Sequence, residues 1–369
     1  MNNESNKKIS IFRIVIKAVL LFLLLNFLFI FIRETPYGSI SLYNFVFPGR
    51  ERLPFGASPG ESFNLTLTNL DAMLASHKIA ADQKLKNDFR IIVLGDSSIW
   101  GFLQKPENTL AGLLEKGISS ECAGKNVEVF NLGYPSLSIL KDLMILDKVK
   151  AFDPDLIIWF VTLESFPKNE LLNTPLVKNN PLELNKIINK YDLDFPLASI
   201  NLLDYTLIGQ KRNLADLIRL QFYGTLWAGS GIDQVSLDDY TPAKRNFEED
   251  ESYKNIRNRS ILSSDLALEV VTKGISENPG TEFILINEPI LISNGMNSDI
   301  RYNFYYPRWA YDQYRTIIGN VFKKYGIEYH DFWDLIPESE FTNSAIHLTD
   351  SGERLLAAET IPLINNHCN

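Results

Sequence analysis

A three-layer α/β/α fold with a mostly parallel sheet is predicted by three observations. Short, almost wholly apolar runs recur along the chain, they alternate with stretches of helical length, and the first is followed at once by Gly95 and polar residues. Apolar strands belong to sheets covered on both faces, and intervening helices are how parallel strands are joined. The predicted strands are 90–95, 127–132, 155–162, 282–287 and 327–332. Helices are predicted over 107–118, 138–150, 258–276, 308–325 and 350–358.

Ahead of this pattern, Ile14 to Ile32 is apolar except for Lys17 and Asn26. A helix of that length, rising ~1.5 Å per residue, matches a ~30 Å hydrocarbon core. Lys7, Lys8, Arg13 and Lys17 lie on its N-terminal side, which places the N-terminus in the cytoplasm and the rest outside. Ile32-Arg33-Glu34-Thr35-Pro36 offers no small-x-small cleavage site, so an uncleaved anchor is expected rather than a signal peptide. The resulting division is a cytoplasmic tail (1–13), a transmembrane anchor (14–32), a stalk with a lead-in helix (33–88) and an α/β domain (89–365). That domain is single-pass tethered and extracytoplasmic, and its partner through the helix is a cytoplasmic-type membrane.

An insertion interrupts the alternation at about 164–255. Two readings stay open for it, a lid or substrate wall and a helical buttress packed on the sheet. A membrane-lying helix at 214–227 ranks below both, given Gly224 and few basic residues.

The net charge of −9 argues against a nucleic-acid partner. Two cysteines, Cys122 and Cys368, are too few for a disulfide scaffold or a zinc centre and are expected to be unpaired small residues, although a bridge would staple the C-terminal tail. The histidines show no metal-ligand spacing and no glycine-rich phosphate loop occurs, so no metal and no cofactor are expected. His77 reads as a helix cap, His330 as core and His367 as part of the tail.

The chemistry concentrates in Gly95-Asp96-Ser97-Ser98, directly after the strand Arg90-Ile91-Ile92-Val93-Leu94. A strand that ends in glycine and then presents a serine exposes a nucleophile at the carboxyl edge of a sheet. A serine hydroxyl needs a base within hydrogen-bond reach, and His347 near the C-terminus is the candidate. Donors for an oxyanion are sought in the backbone N–H groups of Ser97 or Ser98 and of Gly133, which follows the second strand. Asn287-Glu288-Pro289 ends the fourth strand, and Arg301 and Arg308 flank an aromatic loop suited to an anionic group or a sugar.

Val93-Leu94-Gly95-Asp96-Ser97-Ser98, Asn131-Leu132-Gly133 and Ala345-Ile346-His347-Leu348 resemble blocks I, II and V of the SGNH (GDSL-type) hydrolase superfamily, in order and spacing over about 88–162 and 280–362. The resemblance implies a flavodoxin-like sheet with Ser97 as nucleophile, Gly133 as oxyanion donor and His347 as base. It further implies acyl esters of cell-surface carbohydrate or lipid as substrates, hydrolysis or O-acyl transfer as the reaction, and a membrane acyltransferase as a further partner. Two blocks depart from the pattern. Block III lacks its asparagine in Phe160-Val161-Thr162-Leu163-Glu164, which leaves Thr162 or Asn287 to supply the donor. Block V has Ser344 where an aspartate precedes the histidine, so Asn343, or else Asp331 or Asp334, orients the imidazole. Asp96, Ser98, Glu164, Glu288, Arg301 and Arg308 are the candidate substrate-binding residues. The alternative to an enzyme is a catalytically impaired protein of this fold that binds glycan or a membrane partner.

Overall fold

The computed structural model describes residues 10–32, 40–56, 68–118, 122, 124–234, 240–254, 256 and 259–368. Five strands, β1 (Asp88–Leu94), β2 (Asn126–Asn131), β3 (Leu156–Val161), β4 (Glu282–Asn287) and β5 (Tyr329–Asp331), form one parallel sheet in the order β2-β1-β3-β4-β5. This is the flavodoxin-type order, whose switch point lies between β1 and β3. Successive residues face opposite sides of a sheet, so each apolar strand feeds two cores. Ile92, Leu94, Ile157 and Trp159 enter one core, and Ile91, Val93, Ile158 and Phe160 enter the other.

The main helices in chain order are α1 (Ile11–Ile32), α2 (Leu42–Val46), α3 (Leu70–Ser76), α4 (Ser97–Trp100), α5 (Leu110–Gly117), α6 (Ile139–Val149), α7 (Pro181–Lys190), α8 (Lys211–Arg219), α9 (Thr225–Ser230), α10 (Leu268–Ser276), α11 (Arg308–Tyr325) and α12 (Asp350–His367). Buried residues of α3, α6, α7, α10 and α11 line the first core, and those of α5 and α12 the second. Ser138 caps α6 by accepting the Lys141 N–H, and Thr349 caps α12 by accepting that of Gly352.

Three expectations are revised. The stretch ahead of β1 is no stalk in its described residues: Leu53, Leu70, Ala72 and Met73 are core, and Arg50 pairs its backbone with Ser76 and Lys78. Apolar residues scattered among Pro, Gly and Ser read as linker, yet here they close the face of the sheet over β2. Next, α12 runs past Pro362 to His367. Pro362 forfeits one backbone bond, while Ile361 packs on Gly117 and Ile364 is fully buried. Last, Cys122 and Cys368 form a disulfide, their Cα atoms 4.6 Å apart. It ties the end of α12 to the loop before β2, a proximity that depends on where α12 stops.

The first half of the insertion is a buttress, with Leu171, Leu176, Val177, Leu184 and Ile187 in the first core. Among the described residues, α1 is the one helix long and apolar enough to cross a membrane, with a mean hydropathy of 2.8 over Ile11–Phe31. Residues 1–9, most of the expected tail, lie outside the described residues.

Candidate active site

The site gathers at the carboxyl edge of the sheet. After β1 the chain turns at Gly95, and Asp96 caps α4 by accepting the Ser98 N–H at 2.8 Å. This helix lasts one turn because Gly101 follows in the left-handed region (φ +82°), which favours glycine. Ser97 stands at its first position, half-buried. His347 arrives from a tight loop closed by the Thr342 N–H on the His347 carbonyl (2.9 Å) and by the Leu291 N–H on Ala345 (2.7 Å).

Ser97 Oγ lies 2.7 Å from His347 Nε2, and His347 Nδ1 lies 2.7 Å from Asn343 Oδ1. An amide oxygen only accepts, so the contact assigns the proton to Nδ1 and leaves Nε2 free to accept from Ser97. The imidazole stacks on Phe102, with ring centroids 4.9 Å apart. Burial lowers the His347 pKa to about 4, so at neutral pH the ring is an unprotonated base. A serine, a neutral imidazole and an orienting amide in series can move the serine proton to Nε2. Of the three residues proposed to orient the ring, Asn343 is the one in contact. Asp331 instead accepts the Asn287 amide at 2.8 Å and pairs with Arg315 at 2.7 Å.

A buried polar network lies directly behind Ser97. Ser98 Oγ donates to Glu288 Oε2 at 2.5 Å, and its backbone N–H donates to Asp96 Oδ1 at 2.8 Å, so Ser98 holds both carboxyls. Burial raises both carboxyls above their usual range, and the charge of the neighbouring Asp96 adds to the rise at Glu288. Lys141 Nζ, fully buried, donates to the carbonyls of Gly95 (2.7 Å) and Tyr134 (2.9 Å) and pairs with Asp142 at 2.5 Å. It thereby ties the turn after β1 to the turn after β2. Asp96, Ser98 and Glu288, expected to touch substrate, therefore support the nucleophile's turn from within. The sequence signal for Lys141 and Asp142 was two charges inside the apolar run of α6, and Phe102 carried none.

The expected oxyanion donors are engaged elsewhere. Gly133 N–H donates to Asn131 Oδ1 at 3.1 Å and would serve an oxyanion only by giving up that bond. A Cβ on Gly133 would stand 2.5 Å from the Trp100 nitrogen, so glycine there lets β2 and α4 approach. The Thr162 hydroxyl, fully buried, bonds the Tyr306 hydroxyl at 3.2 Å. Asn287 gives its amide to Asp331 and accepts from Tyr311 (3.3 Å) and Tyr314 (3.1 Å). The Ser98 N–H is held by Asp96, which leaves the Ser97 N–H, at the start of α4 where no intrahelical acceptor exists.

The remaining candidates have intramolecular partners. Glu164 pairs with Lys254 at 2.6 Å and accepts from Tyr253. Arg301 spends its guanidinium on the carbonyls of Asp250, Ser252, Asn303 and Phe304. Arg308 donates to the Ser298 carbonyl at 2.6 Å and lies over the Tyr302 ring. His77 caps the turn Lys78–Ala81, and its Nε2 lies 3.1 Å from the Asn131 carbonyl. His330 contacts Glu328, and His367 bridges Glu282 and Glu328. No cluster of metal-ligating side chains occurs among the described residues.

No family model matches the sequence, and no curated protein matches it. Among solved structures the chain is similar to a carbohydrate acetylesterase family member from Sinorhizobium meliloti, at 12% identity over 76% of this chain and 99% of that one, with a TM-score of 0.35. It is similar to the aryl esterase of M. smegmatis at 10% identity, over 75% and 99% of the two chains, with a TM-score of 0.35. A member of the lipolytic protein G-D-S-L family from Veillonella parvula matches at 11% identity, over 74% and 97%, also with a TM-score of 0.35.

Proposed function

We propose that this chain is a membrane-anchored, extracytoplasmic serine esterase or O-acyltransferase of the SGNH type, acting on acyl esters of cell-surface carbohydrate or lipid. The observation that carries the reading is the Ser97–His347–Asn343 series, with both contacts at 2.7 Å and the imidazole neutral at working pH. Ser97 Oγ attacks the ester carbonyl as its proton passes to His347 Nε2. The alcohol leaves with that proton, and water or a sugar hydroxyl then takes the acyl group from Ser97 by the reverse transfer. Asn343 holds the ring's tautomer without neutralising the imidazolium. With the Ser97 N–H as the remaining candidate donor, the tetrahedral oxyanion is weakly supported, since each oxyanion donor contributes ~3–4 kcal/mol. The reading is therefore a slow enzyme. The length and apolarity of α1 support a membrane segment, the lack of a small-x-small site after it supports its retention as an anchor, and the flanking charges support the orientation.

Incubating the full-length protein in detergent with a fluorophosphonate and measuring intact mass tests this. A single adduct that disappears in Ser97→Ala and His347→Ala is the expected result. A folded parent that takes no adduct would move the chain to the alternative, a glycan- or partner-binding protein of the same fold.

A further inference from the structure

The second half of the insertion leaves large apolar side chains in solvent on a surface continuous with α1. Along α8, α9 and the π-helical turn Leu220–Gly224 between them, Ile218, Phe222 (64% exposed) and Leu226 (66%) face outward. Gly224 does not interrupt this stripe, because it is buried against Tyr43 on the inner side. Next to it, α2 presents Phe45 (88% exposed) and Val46. The two elements are bonded through Gln221, which accepts the Leu42 N–H at 2.5 Å and donates to the Ile40 carbonyl at 3.0 Å. Of the charged groups on α8, Asp216 is buried with Arg219 3.6 Å from it, while Lys211 and Arg212 at its start and Arg219 at its end are exposed, as cations beside lipid headgroups would be.

The depth of this surface is set by Asn26, the polar residue inside the apolar run of α1. Its Nδ2 donates to the Phe22 carbonyl, and its Oδ1 accepts the Ile208 N–H at 3.1 Å. Asn26 precedes Ile32, the end of α1, by six residues, or ~9 Å of helix. Ile208 therefore lies beside the last two turns of α1 rather than beyond its end, and Leu202, Leu203 and Leu207 are exposed in the segment that leads to it. Apolar faces of interfacial elements sink ~5–10 Å into the boundary between headgroups and acyl chains, which matches this offset.

We propose that this face, formed by α2, residues 202–208 and the α8–α9 stretch, is seated in the outer leaflet of the bilayer that α1 crosses. The proposal rests on the anchored reading above. Seating would couple the membrane to the nucleophile's turn. Asp233, just past α9, pairs with buried Arg50 at 2.5 Å and accepts from Tyr43 on α2. Arg52 stacks on Trp100 and donates to the carbonyls of Gly101 (2.9 Å), Gln104 (3.1 Å) and Gln234 (3.1 Å). The two arginines thus tie this face to the end of α4, the one-turn helix that Ser97 begins.

The full-length protein, reconstituted in phosphatidylcholine–phosphatidylglycerol vesicles, tests this. Its native cysteines are paired, so single cysteines at Leu226→Cys, Tyr325→Cys and Leu24→Cys each carry one fluorophore. Leu226 probes the face, Tyr325 is an exposed position remote in the chain, and Leu24 lies within α1. Expected is several-fold stronger quenching at 226 than at 325 by nitroxide lipids, with matching protection from aqueous iodide. Equal quenching at 226 and 325 would overturn the proposal. Protection from iodide without quenching by lipid would overturn it in favour of a protein cover. Loss of quenching at 24 would remove the anchor and the proposal with it. None of these readouts needs an active Ser97, so fluorophosphonate labelling of the same samples separates failure of the face from failure of the site.

Discussion

Ser97 and Ser98 are adjacent residues of one short helix with identical chemistry and opposite surroundings. Ser97 is half-buried and meets a neutral imidazole; Ser98 is buried and donates to a carboxyl at 2.5 Å. The hydroxyl of Ser97 can lose its proton to a base that is regenerated, whereas that of Ser98 fills a hydrogen bond in a network closed to solvent. Position in the helix decides between them, because a step of one residue in a 3.6-residue turn rotates the side chain by ~100°. On the proposed reading, reactivity belongs to the environment and not to the residue type.

The largest expected effect separates the two hydroxyls. Ser97→Ala is expected to lower the fluorophosphonate labelling rate by ~10^4-fold or more, the range seen when a nucleophile is removed. Ser98→Ala is expected to leave that rate within a few-fold. Comparable losses in both would show that the network acts in the chemistry and would break the comparison.

A second, smaller effect is expected at Asn343. Asn343→Ala removes the acceptor that holds the Nδ1 tautomer and should slow labelling by ~10- to 1000-fold, below the ~10^4 cost of a wrong tautomer in a carboxylate-oriented triad. Asn343→Asp adds a charge that favours the imidazolium and should raise the pKa of the acid limb by ~1–3 units. In the parent that limb is expected near pH 4, the value burial gives His347. For this histidine the sign is that of a depressed pKa. Between about 4 and the ordinary value of 6.5 the unfolded chain binds the extra proton, so this contribution to stability is lost as pH falls through that window. Labelling rate against pH reads both claims, and a parent limb near 6.5 would show a solvated ring.

Ser97, His347 and the five strands were legible because each is written locally, in an apolar run, a Gly-Asp-Ser turn or a His in a familiar context. Asn343 was legible only as one of three options, since the choice among Asn343, Asp331 and Asp334 depends on how the 342–348 loop closes. The engagement of Asn287 and Thr162 with other side chains was not legible, for one shared reason. Their side-chain partners, Asp331 with Tyr311 and Tyr314, and Tyr306, come from segments far away in sequence. The bridge between Cys122 and Cys368 was likewise decided by tertiary distance. The membrane-lying reading of 214–227 ranked low on Gly224, whose inward orientation follows from a π-helical turn that composition does not report.

Smaller effects are expected behind the nucleophile, and they concern stability. Ser98→Ala leaves Glu288 without its donor in a buried setting and should destabilise by ~1–3 kcal/mol. Glu288→Gln is gentler, because an amide keeps the shape and its oxygen still accepts from Ser98. Burial and the neighbouring Asp96 raise the Glu288 carboxyl well above its ordinary value of 4.5. The folded chain therefore keeps a proton that the unfolded chain releases above that value, and the parent loses stability as pH rises toward the folded pKa. The amide of the Glu288→Gln variant has no such proton to lose. Thermal melts should then show the variant within ~1 kcal/mol of the parent at pH 5, the scale of a neutral hydrogen-bond exchange, and gaining on it toward alkaline pH. Parallel behaviour of the two proteins across that range would mean that Glu288 is ionised in the fold. The desolvation that raises its carboxyl would then have to be withdrawn, and with it the sealed environment that sets Ser98 apart from Ser97.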